Sequence, residues 1–462
     1  MGGGVVEDPV SGQKMTVAKT IRRAARSTVA RNAAALYGVR FAAVVLPLVT
    51  VPYLARLLQP AGWGLVLFSR SFSSWLVLAM EYGFQYFATR KIARNRGDRE
   101  AVAETVSDVL GAKCVLATAA IAVALIARYT APIFRTHPEY LIWALVLSLA
   151  QGFIPLWYFQ GTERITTSSR LTILAYALGA ACTFIMVRAP DQGVRVLILN
   201  AASALLVAGG LLGMMYRQVP WRRPKVSSAL RTLRESWSTF VFQGGASFYQ
   251  AANGFVLGLF VPPAMVAYYG GAERLVRLAT SLVDPISWAV YPRISHLMAH
   301  QTGEARRYAR TVFLILGGLG LCMGGVFFLG APLLIGLLYG ASYTPAIPVL
   351  RILSLTIPVI ALGTVFAIQW ALPAGLERPL GRVAVAAGIG NVGLAVVLAP
   401  RFGALGMACA VLSAESFVMV SAYVILKQRR LLPFPIAETL LGLLMRRTAT
   451  DHQPIRSDPD PS

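Results

Sequence analysis

Acidic residues are scarce in this 462-residue chain, which has 20 Asp and Glu against 43 Lys and Arg and a formal net charge of +23. Charged residues of both signs make up only 14% of the sequence, whereas hydrophobic residues make up 56% and the mean hydropathy is +0.61. These values exclude an ordinary soluble globular domain. The basic residues alternate with apolar runs, a pattern that indicates cytoplasmic loops and contact with anionic membrane lipids. A nucleic-acid partner is not expected, because a soluble binder would gather its basic residues on one face.

Cysteine and histidine are also rare, with four residues of each. The cysteines stand alone in apolar runs and lack metal-ligand spacing, so no metal site is expected and they are interpreted as small buried side chains. The histidines fall in loops or in the C-terminal tail, which argues against histidine-based catalysis. The sequence has no GxxxxGK[ST] phosphate loop and no connecting loop longer than about 20 residues, so it predicts neither ATP hydrolysis nor a soluble catalytic domain. No cofactor is expected beyond a coupling H⁺ or Na⁺.

Apolar runs of about 20 residues recur from Ala33 to Leu426, and each can cross a hydrocarbon layer of roughly 30 Å. We count twelve such predicted spans. The leader and the loops after spans two, six and eight are rich in Arg and Lys, whereas the loops on the opposite side carry few basic residues. This alternation predicts an all-α, multi-pass integral membrane protein with both termini in the cytoplasm.

The second half of the chain repeats features of the first half. A shift of 203 positions aligns Glu81 with Asp284, and "GTER" at 161–164 resembles "GLER" at 375–378. The repeat predicts two six-helix lobes related by an axis along the membrane normal, with the substrate path between them. The predicted parts are a basic cytoplasmic leader (1–32), an N-lobe with spans one to six (33–216), a basic cytoplasmic linker (217–236), a C-lobe with spans seven to twelve (237–426) and a cytoplasmic tail (427–462) with a disordered composition.

Several predicted spans carry ionisable residues, each of which costs about 2.5–3.5 kcal/mol at a helix centre. In span eight, Arg274, Arg277 and Asp284 share one face at helical spacing. Arg70 and Glu81 follow a comparable stripe in span two. Further polar residues lie in span one and span seven, namely Arg40, Gln243, Gln250 and Asn253. These side chains are expected to face an aqueous cavity and not lipid.

The arginines outnumber the acids in these spans, so the predicted cavity is net positive and suits an anion; the planar fork of arginine suits phosphate oxygens in particular. The predicted substrate-binding residues are Arg40, Arg70, Arg274, Arg277, Gln243, Gln250 and Asn253. The alternative is internal pairing, as between Glu273 and Arg277 at i,i+4, and Lys113 is interpreted as snorkelling from a span end. Candidate sites for a coupling ion are Glu81, Asp284 and Glu415, with a fixed counter-ion as the alternative.

Several segments together resemble the bacterial polysaccharide flippases (Wzx type), within the superfamily that also holds multidrug/cation antiporters and the peptidoglycan-lipid flippase. They include "LPLVTVPYLARLLQPAGWGLVLFSRSF", "EYGFQYFATRKIARNR", "PLWYFQGTER", "YYGGAERLVR", "PISWAVYPRIS" and "FGALGMACAVLSAE". The resemblance covers residues 33 to 426. It implies a V-shaped exporter fold and transport of undecaprenyl-diphosphate-linked oligosaccharide from the inner to the outer leaflet of the bacterial cytoplasmic membrane. It also implies that Arg40, Arg70 and Arg274 meet the diphosphate or an acidic sugar.

We therefore expect a lipid-linked oligosaccharide flippase that works by alternating access in cell-surface polysaccharide synthesis, without covalent chemistry. Its expected partners are the lipid-linked substrate and membrane lipids, with a polysaccharide polymerase and chain-length proteins as further candidates. Two alternatives stay open. One is a cation-coupled multidrug exporter of the same fold, and the other is a membrane-embedded polysaccharide polymerase or ligase.

Overall fold

The computed structural model describes the backbone of residues 28–433 and the side chains of the same range apart from 28–45, 47–48, 242–249 and 284. Helices form most of this range and no strand occurs within it. The predicted all-α class is therefore confirmed for the described residues. The predicted leader up to residue 27 and the predicted tail from residue 434 lie outside them.

The first of two compact units runs to Gly270 and also includes Leu338–Tyr343. Its helices are α1 (Thr28–Glu81), α2 (Phe84–Arg94), α3 (Arg99–Thr130), α4 (Pro132–Thr136), α5 (Pro138–Gly152), α6 (Leu156–Gly161), α7 (Ile165–Met186), α8 (Gly193–Tyr216), α9 (Val226–Gly258) and the first part of α10 (Pro263–Ser281), followed later by a 3₁₀ turn at Ala341–Tyr343. Helix α9 begins inside the stretch that the sequence predicts as a linker.

Helix α1 contains predicted span one and most of predicted span two. Gln59 interrupts the helix between them, with a φ of 57° and a ψ of 169°. The Gln59 side-chain amide donates to the Arg56 carbonyl at 2.8 Å and stabilises this turn. A second interruption separates α1 from α2, where Tyr82 and Gly83 have φ values of 43° and 75°. Only glycine fits at position 83, since a Cβ there would lie 2.9 Å from the backbone nitrogen of Phe240. Predicted span two is therefore two helices joined at a sharp break.

The core of the first unit is aromatic at one end and rich in small residues elsewhere. Helix α1 packs against α5, α7 and α9, and α2 packs against α6. Phe84 of α2 is buried in one cluster with Trp157 and Phe159 of α6. Between α5 and α8, Ala150 and Ala201 allow close approach, as is usual for helices that associate in lipid.

Glycines of α1 and α9 bring the helices of this unit close together. A Cβ at Gly64 would clash with the carbonyl group of Pro263 at the start of α10, and one at Gly258 would clash with the Phe68 ring. Small residues at such points permit the van der Waals packing that replaces the hydrophobic effect between helices in a bilayer.

Replacing Gly64 with Ala should lower the unfolding free energy by about 1–3 kcal/mol, because the obstacle is backbone and cannot rotate away. The matched control is Gly209→Ala in α8, where a Cβ meets nothing within 4 Å. This control should be neutral or gain about 0.5–1 kcal/mol, because alanine favours helix over glycine. Thermal unfolding of both variants in detergent measures the difference, and equal midpoints would show that this approach does not hold the unit together.

The second unit consists of Gly271–Leu337 and the residues from Thr344 onward. Its helices are the last part of α10, then α11 (Asp284–His300), α12 (Thr302–Leu329), α13 (Ala331–Leu338, whose last residue belongs to the first unit), α14 (Ala346–Ser354), α15 (Thr356–Gly363), a π-helix (Thr364–Ala371) and α16 (Glu377–Gln428). Gly403, with a φ of 56°, divides α16 into predicted spans eleven and twelve. Phe313, Phe366 and Trp370 lie in the core of the second unit.

The two predicted halves share one local feature. Helix α1 ends at Glu81 and α2 begins at Phe84, while α10 ends at Ser281 and α11 begins at Asp284. Predicted spans two and eight are thus each interrupted by two residues near the predicted acid. This correspondence agrees with the predicted repeat, and the arrangement of two six-helix lobes stays a prediction.

Within the described residues, eight helical stretches are long and apolar enough to cross a membrane. Two of these, Val49–Arg94 and Glu377–Gln428, each contain parts of two predicted spans. Many large apolar side chains point outward, among them Leu329 at 78% and Ile389 at 71% exposure. Lipid is the solvent that suits such surfaces. The structure therefore supports a multi-pass membrane protein, and the count of twelve spans stays a prediction.

Candidate functional site

Arg70 lies at the middle of the α1 stretch between the Gln59 turn and Glu81, within predicted span two. It is 11 residues from the Gln59 turn and 11 from the end of α1 at Glu81, which places it about 16 Å from each end. The side chain is half-buried and lies within electrostatic range of the Tyr176 hydroxyl on α7. No ion pair between Arg70 and a carboxylate is found in the described part of the chain. A guanidinium within a predicted span that has no counter-ion among the described residues has capacity to bind an anion.

The two residues that follow Arg70 contact neighbouring helices through their side chains. The Ser71 hydroxyl donates to the Ala251 carbonyl of α9 at 2.7 Å and accepts from the Phe255 backbone N–H at 3.0 Å. The Phe72 ring lies 5.0 Å from Phe255 and 5.2 Å from Phe134. These contacts hold the helix turn that carries Arg70 in one position, and a preorganised group binds with a smaller entropy cost.

Glu81 is held by a lysine whose role the sequence analysis misjudged. Lys113 is 0% exposed, and its ammonium group donates to Glu81 Oε1 at 3.1 Å and to the Gly152 carbonyl. It also lies 5.8 Å from the centre of the Phe84 ring. The snorkelling interpretation is therefore wrong. Helix α3 begins at Arg99 with Asp98 as its N-cap, so Lys113 lies about 21 Å inside the helix, too deep to reach its end.

Glu81 itself is 31% exposed, so the carboxylate faces both the buried lysine and a more open surface. Its observed partner fits the counter-ion alternative, with lysine in place of the arginine that the sequence suggested. Both residues border the break at Tyr82 and Gly83. The ion pair therefore joins the end of α1 to the middle of α3 at the point where span two is interrupted.

Two of the three predicted polar residues of α9 have described side chains. Asn253 is 2% exposed and Gln250 is half-buried, and both side chains have interaction partners. Arg40 belongs to α1 and Gln243 to α9, but their side chains lie outside the described residues. The side chain of Asp284, the first residue of α11, lies outside them too.

In the second unit, the predicted pair between Glu273 and Arg277 is present. Arg277 Nη2 lies 2.9 Å from Glu273 Oε1, with the two side chains 52% and 24% exposed. Arg274 and Glu415 are each half-buried and have interaction partners. One expectation needs correction, because Leu282 and Val283 interrupt the helix between α10 and α11. The polar stripe from Arg274 to Asp284 therefore does not run along one continuous helix face.

A buried glutamine in the π-helix is a polar group that the sequence analysis missed. Gln369 is 0% exposed, and its amide nitrogen donates to the Ser287 carbonyl at 2.9 Å and to the Ser287 hydroxyl at 2.6 Å. These bonds join the π-helix to α11. A π-helix has no pattern of apolar spacing that distinguishes it from an α-helix in the sequence, so only the isolated glutamine in span ten could have drawn attention.

Residues 29–298 match the family described as "Polysaccharide biosynthesis protein". A protein of Escherichia coli (strain K12) that is named as an O-antigen transporter is 27% identical over 407 residues, which cover 87% of this chain and 97% of that protein. A protein of Shigella dysenteriae with the same name is 25% identical over 395 residues, which cover 84% and 98%.

Solved structures share the fold at low sequence identity. The inward-facing conformation of a multidrug resistance MATE family transporter matches with a TM-score of 0.58 and 16% identity, over 83% of this chain and 93% of that one. The lipid II flippase MurJ in its inward closed conformation matches with a TM-score of 0.55 and 13% identity, over 87% and 92%. The described helices therefore adopt a fold of the MATE and MurJ type.

Proposed function

The chain belongs to the polysaccharide biosynthesis protein family, and on this premise we propose that it is a flippase for undecaprenyl-diphosphate-linked oligosaccharide. The cargo moves from the inner to the outer leaflet of the bacterial cytoplasmic membrane by alternating access. The match covers nearly the whole length of two relatives that are named as O-antigen transporters. This similarity supports transport of a polysaccharide precursor and argues against a membrane-embedded polymerase or ligase. Both termini lie in the cytoplasm in this proposal, as the loop charges predict.

The observation that carries the choice of cargo is Arg70. It lies within predicted span two, half-buried, within electrostatic range of the Tyr176 hydroxyl and without an ion pair in the described residues. Guanidinium binds phosphate oxygens through paired N–H groups, so this position suits the diphosphate of the carrier lipid. Arg40, Arg274 and Arg277 are further candidates, together with Gln243, Gln250 and Asn253. The lipid tail stays in the bilayer while the headgroup crosses.

The proposed coupling ion is H⁺ or Na⁺, and its proposed binding site is Asp284 or Glu415. Glu81 is removed from this role because Lys113 already holds its carboxylate at 3.1 Å. A cation that bound Glu81 would share its carboxylate with the buried Lys113 ammonium group, and the two positive charges would repel each other. Glu81 is therefore a fixed counter-ion in the proposed cycle.

The test is translocation by the purified protein in vesicles that contain lipid-linked oligosaccharide in one leaflet. We expect protein-dependent movement of the sugar headgroup, accelerated by a pH or Na⁺ gradient in the productive direction. Glu81→Gln should keep the response to the gradient, whereas Asp284→Asn or Glu415→Gln should lose it. Export of a cationic dye without movement of the lipid-linked sugar would instead establish the multidrug exporter.

A further inference from the structure

A cleft of about 420 Å³ lies where the π-helix gives way to α16. The chain turns at Gly375, which has a φ of 75°, and α16 begins at Glu377. Three arginines line the cleft, namely Arg378, Arg382 and Arg429. Arg378 and Arg382 are one helical turn apart at i,i+4, so both side chains lie on the same face of α16. The third comes from the other end of α16, 47 residues later in the chain.

The segment that supplies Arg429 is fixed in place. The Leu431 backbone N–H donates to the Leu426 carbonyl at 2.9 Å, and the Trp370 indole N–H donates to the Leu431 carbonyl at 2.6 Å. Trp370 is itself 5% exposed and belongs to the core of the second unit. The convergence of the three arginines is thus a consequence of the packed core and not of a free chain end.

The described residues do not neutralise the charge in this cleft. All three arginine side chains are exposed, and within the described residues none of them forms an ion pair. One acid, Glu377, lines the same cleft, so three positive charges face one negative charge. The α16 N-terminus adds to this, because no side chain caps its first N–H groups and such groups favour an anion.

The "GTER" turn at 161–164 in the first unit, which resembles the "GLER" turn of the cleft, is closed by hydrogen bonds and an ion pair from one arginine. There, Arg96 donates to the Gly161 carbonyl from Nε at 3.2 Å and from Nη2 at 2.9 Å, and Nη2 also lies 3.0 Å from Glu163 Oε1. The hydrogen bond from Arg96 lowers the pKa of Glu163. The "GTER" turn is therefore satisfied by one arginine of its own unit, whereas the three arginines at the "GLER" turn form no such ion pair within the described residues.

We propose that Arg378, Arg382 and Arg429 form a binding site for a phosphate group. The site lies where predicted span ten ends, predicted span eleven begins and predicted span twelve ends. The loop charges place these ends at the cytoplasmic surface of the membrane, where the phosphates of anionic lipids lie. The headgroup phosphate of an anionic membrane lipid is therefore the expected source, and free phosphate has the same chemistry. The proposed site does not depend on the identity of the transported cargo.

The test uses the full chain in detergent, with short-chain phosphatidylglycerol as the probe and inorganic phosphate as a second arm. The variant R378Q/R382Q/R429Q should bind the lipid at least about tenfold more weakly, because several charge-assisted hydrogen bonds are lost. The matched control R306Q/R307Q/R310Q removes the same charge from exposed arginines of α12 in the same unit. It should bind like the wild type.

The two arms separate the possible sources. Lipid binding that resists millimolar phosphate supports a lipid site, and saturable phosphate binding that is lost in the cleft variant supports a site for free phosphate. An equal loss in the cleft variant and in the control would overturn the proposal, since net charge alone would then explain binding. No loss in either variant would overturn it as well. R378K/R382K/R429K keeps the charge but not the planar fork, and it should bind more weakly than the wild type.

Discussion

Replacing Arg70 with Ala is expected to lower transport of the lipid-linked oligosaccharide by about 100-fold, because two charge-assisted hydrogen bonds to phosphate are worth roughly 3 kcal/mol or more. The protein should still reach the membrane. Its thermal stability should be unchanged or higher, because the substitution breaks no ion pair among the described residues and removes a charge from a predicted span. Loss of transport together with retained stability separates a substrate role from a packing role. Surface polysaccharide in a strain that depends on this gene reports the first quantity, and thermal unfolding in detergent reports the second.

Two further variants make the Arg70 experiment specific. Arg70→Lys keeps the charge but not the bidentate fork, so it should restore part of the transport. Arg170→Ala removes an exposed arginine from α7, the helix that carries Tyr176, and should leave transport intact. Normal transport by Arg70→Ala would remove this residue from the binding site. Reduced stability with a parallel loss of transport would assign it to packing.

Replacing Glu81 with Ala is expected to cost about 3–5 kcal/mol of stability, because it leaves the buried Lys113 ammonium without a counter-ion. Lys113→Ala should cost less, since Glu81 is 31% exposed and can be solvated. The double variant with Ala at both positions should recover part of the loss, because removing both partners leaves no buried charge without a counter-ion. Unfolding midpoints and expression levels of the four proteins form a double-mutant cycle.

The outcome of that cycle also bears on function. If the double variant folds and still transports cargo with its normal response to a pH gradient, Glu81 acts as a structural counter-ion. If it folds but no longer responds to the gradient, Glu81 takes part in coupling and the assignment to Asp284 or Glu415 fails. Equal effects of the two single variants would mean that the burial of Lys113 does not dominate the energetics of this pair.

The sequence predicts the fold class well because lipid allows few ways to satisfy the backbone hydrogen-bonding groups. A chain that is 56% hydrophobic can satisfy its backbone in lipid only through helices or a closed barrel. The pair between Glu273 and Arg277 is equally predictable, because side chains four residues apart on a helix are neighbours. Both predictions depend on local geometry alone.

The misjudged features depend on contacts between distant segments. Lys113 was placed near a span end because the apolar pattern begins near residue 107, whereas the helix begins at Arg99. Its partners Glu81 and Gly152 come from other helices. The break at Tyr82 is set by close packing against residues 239 and 240, and no propensity of tyrosine indicates a positive φ. The bonds between Gln369 and Ser287 likewise join residues 82 positions apart.

The central claim is that the Arg70 guanidinium, within predicted span two, binds the diphosphate of the cargo. The most direct measurement compares the affinities of purified wild-type protein and Arg70→Ala for undecaprenyl diphosphate and undecaprenyl monophosphate, each in the same detergent. The wild type should prefer the diphosphate, and the variant should lose this preference. A variant that discriminates between the two lipids as well as the wild type would contradict the account.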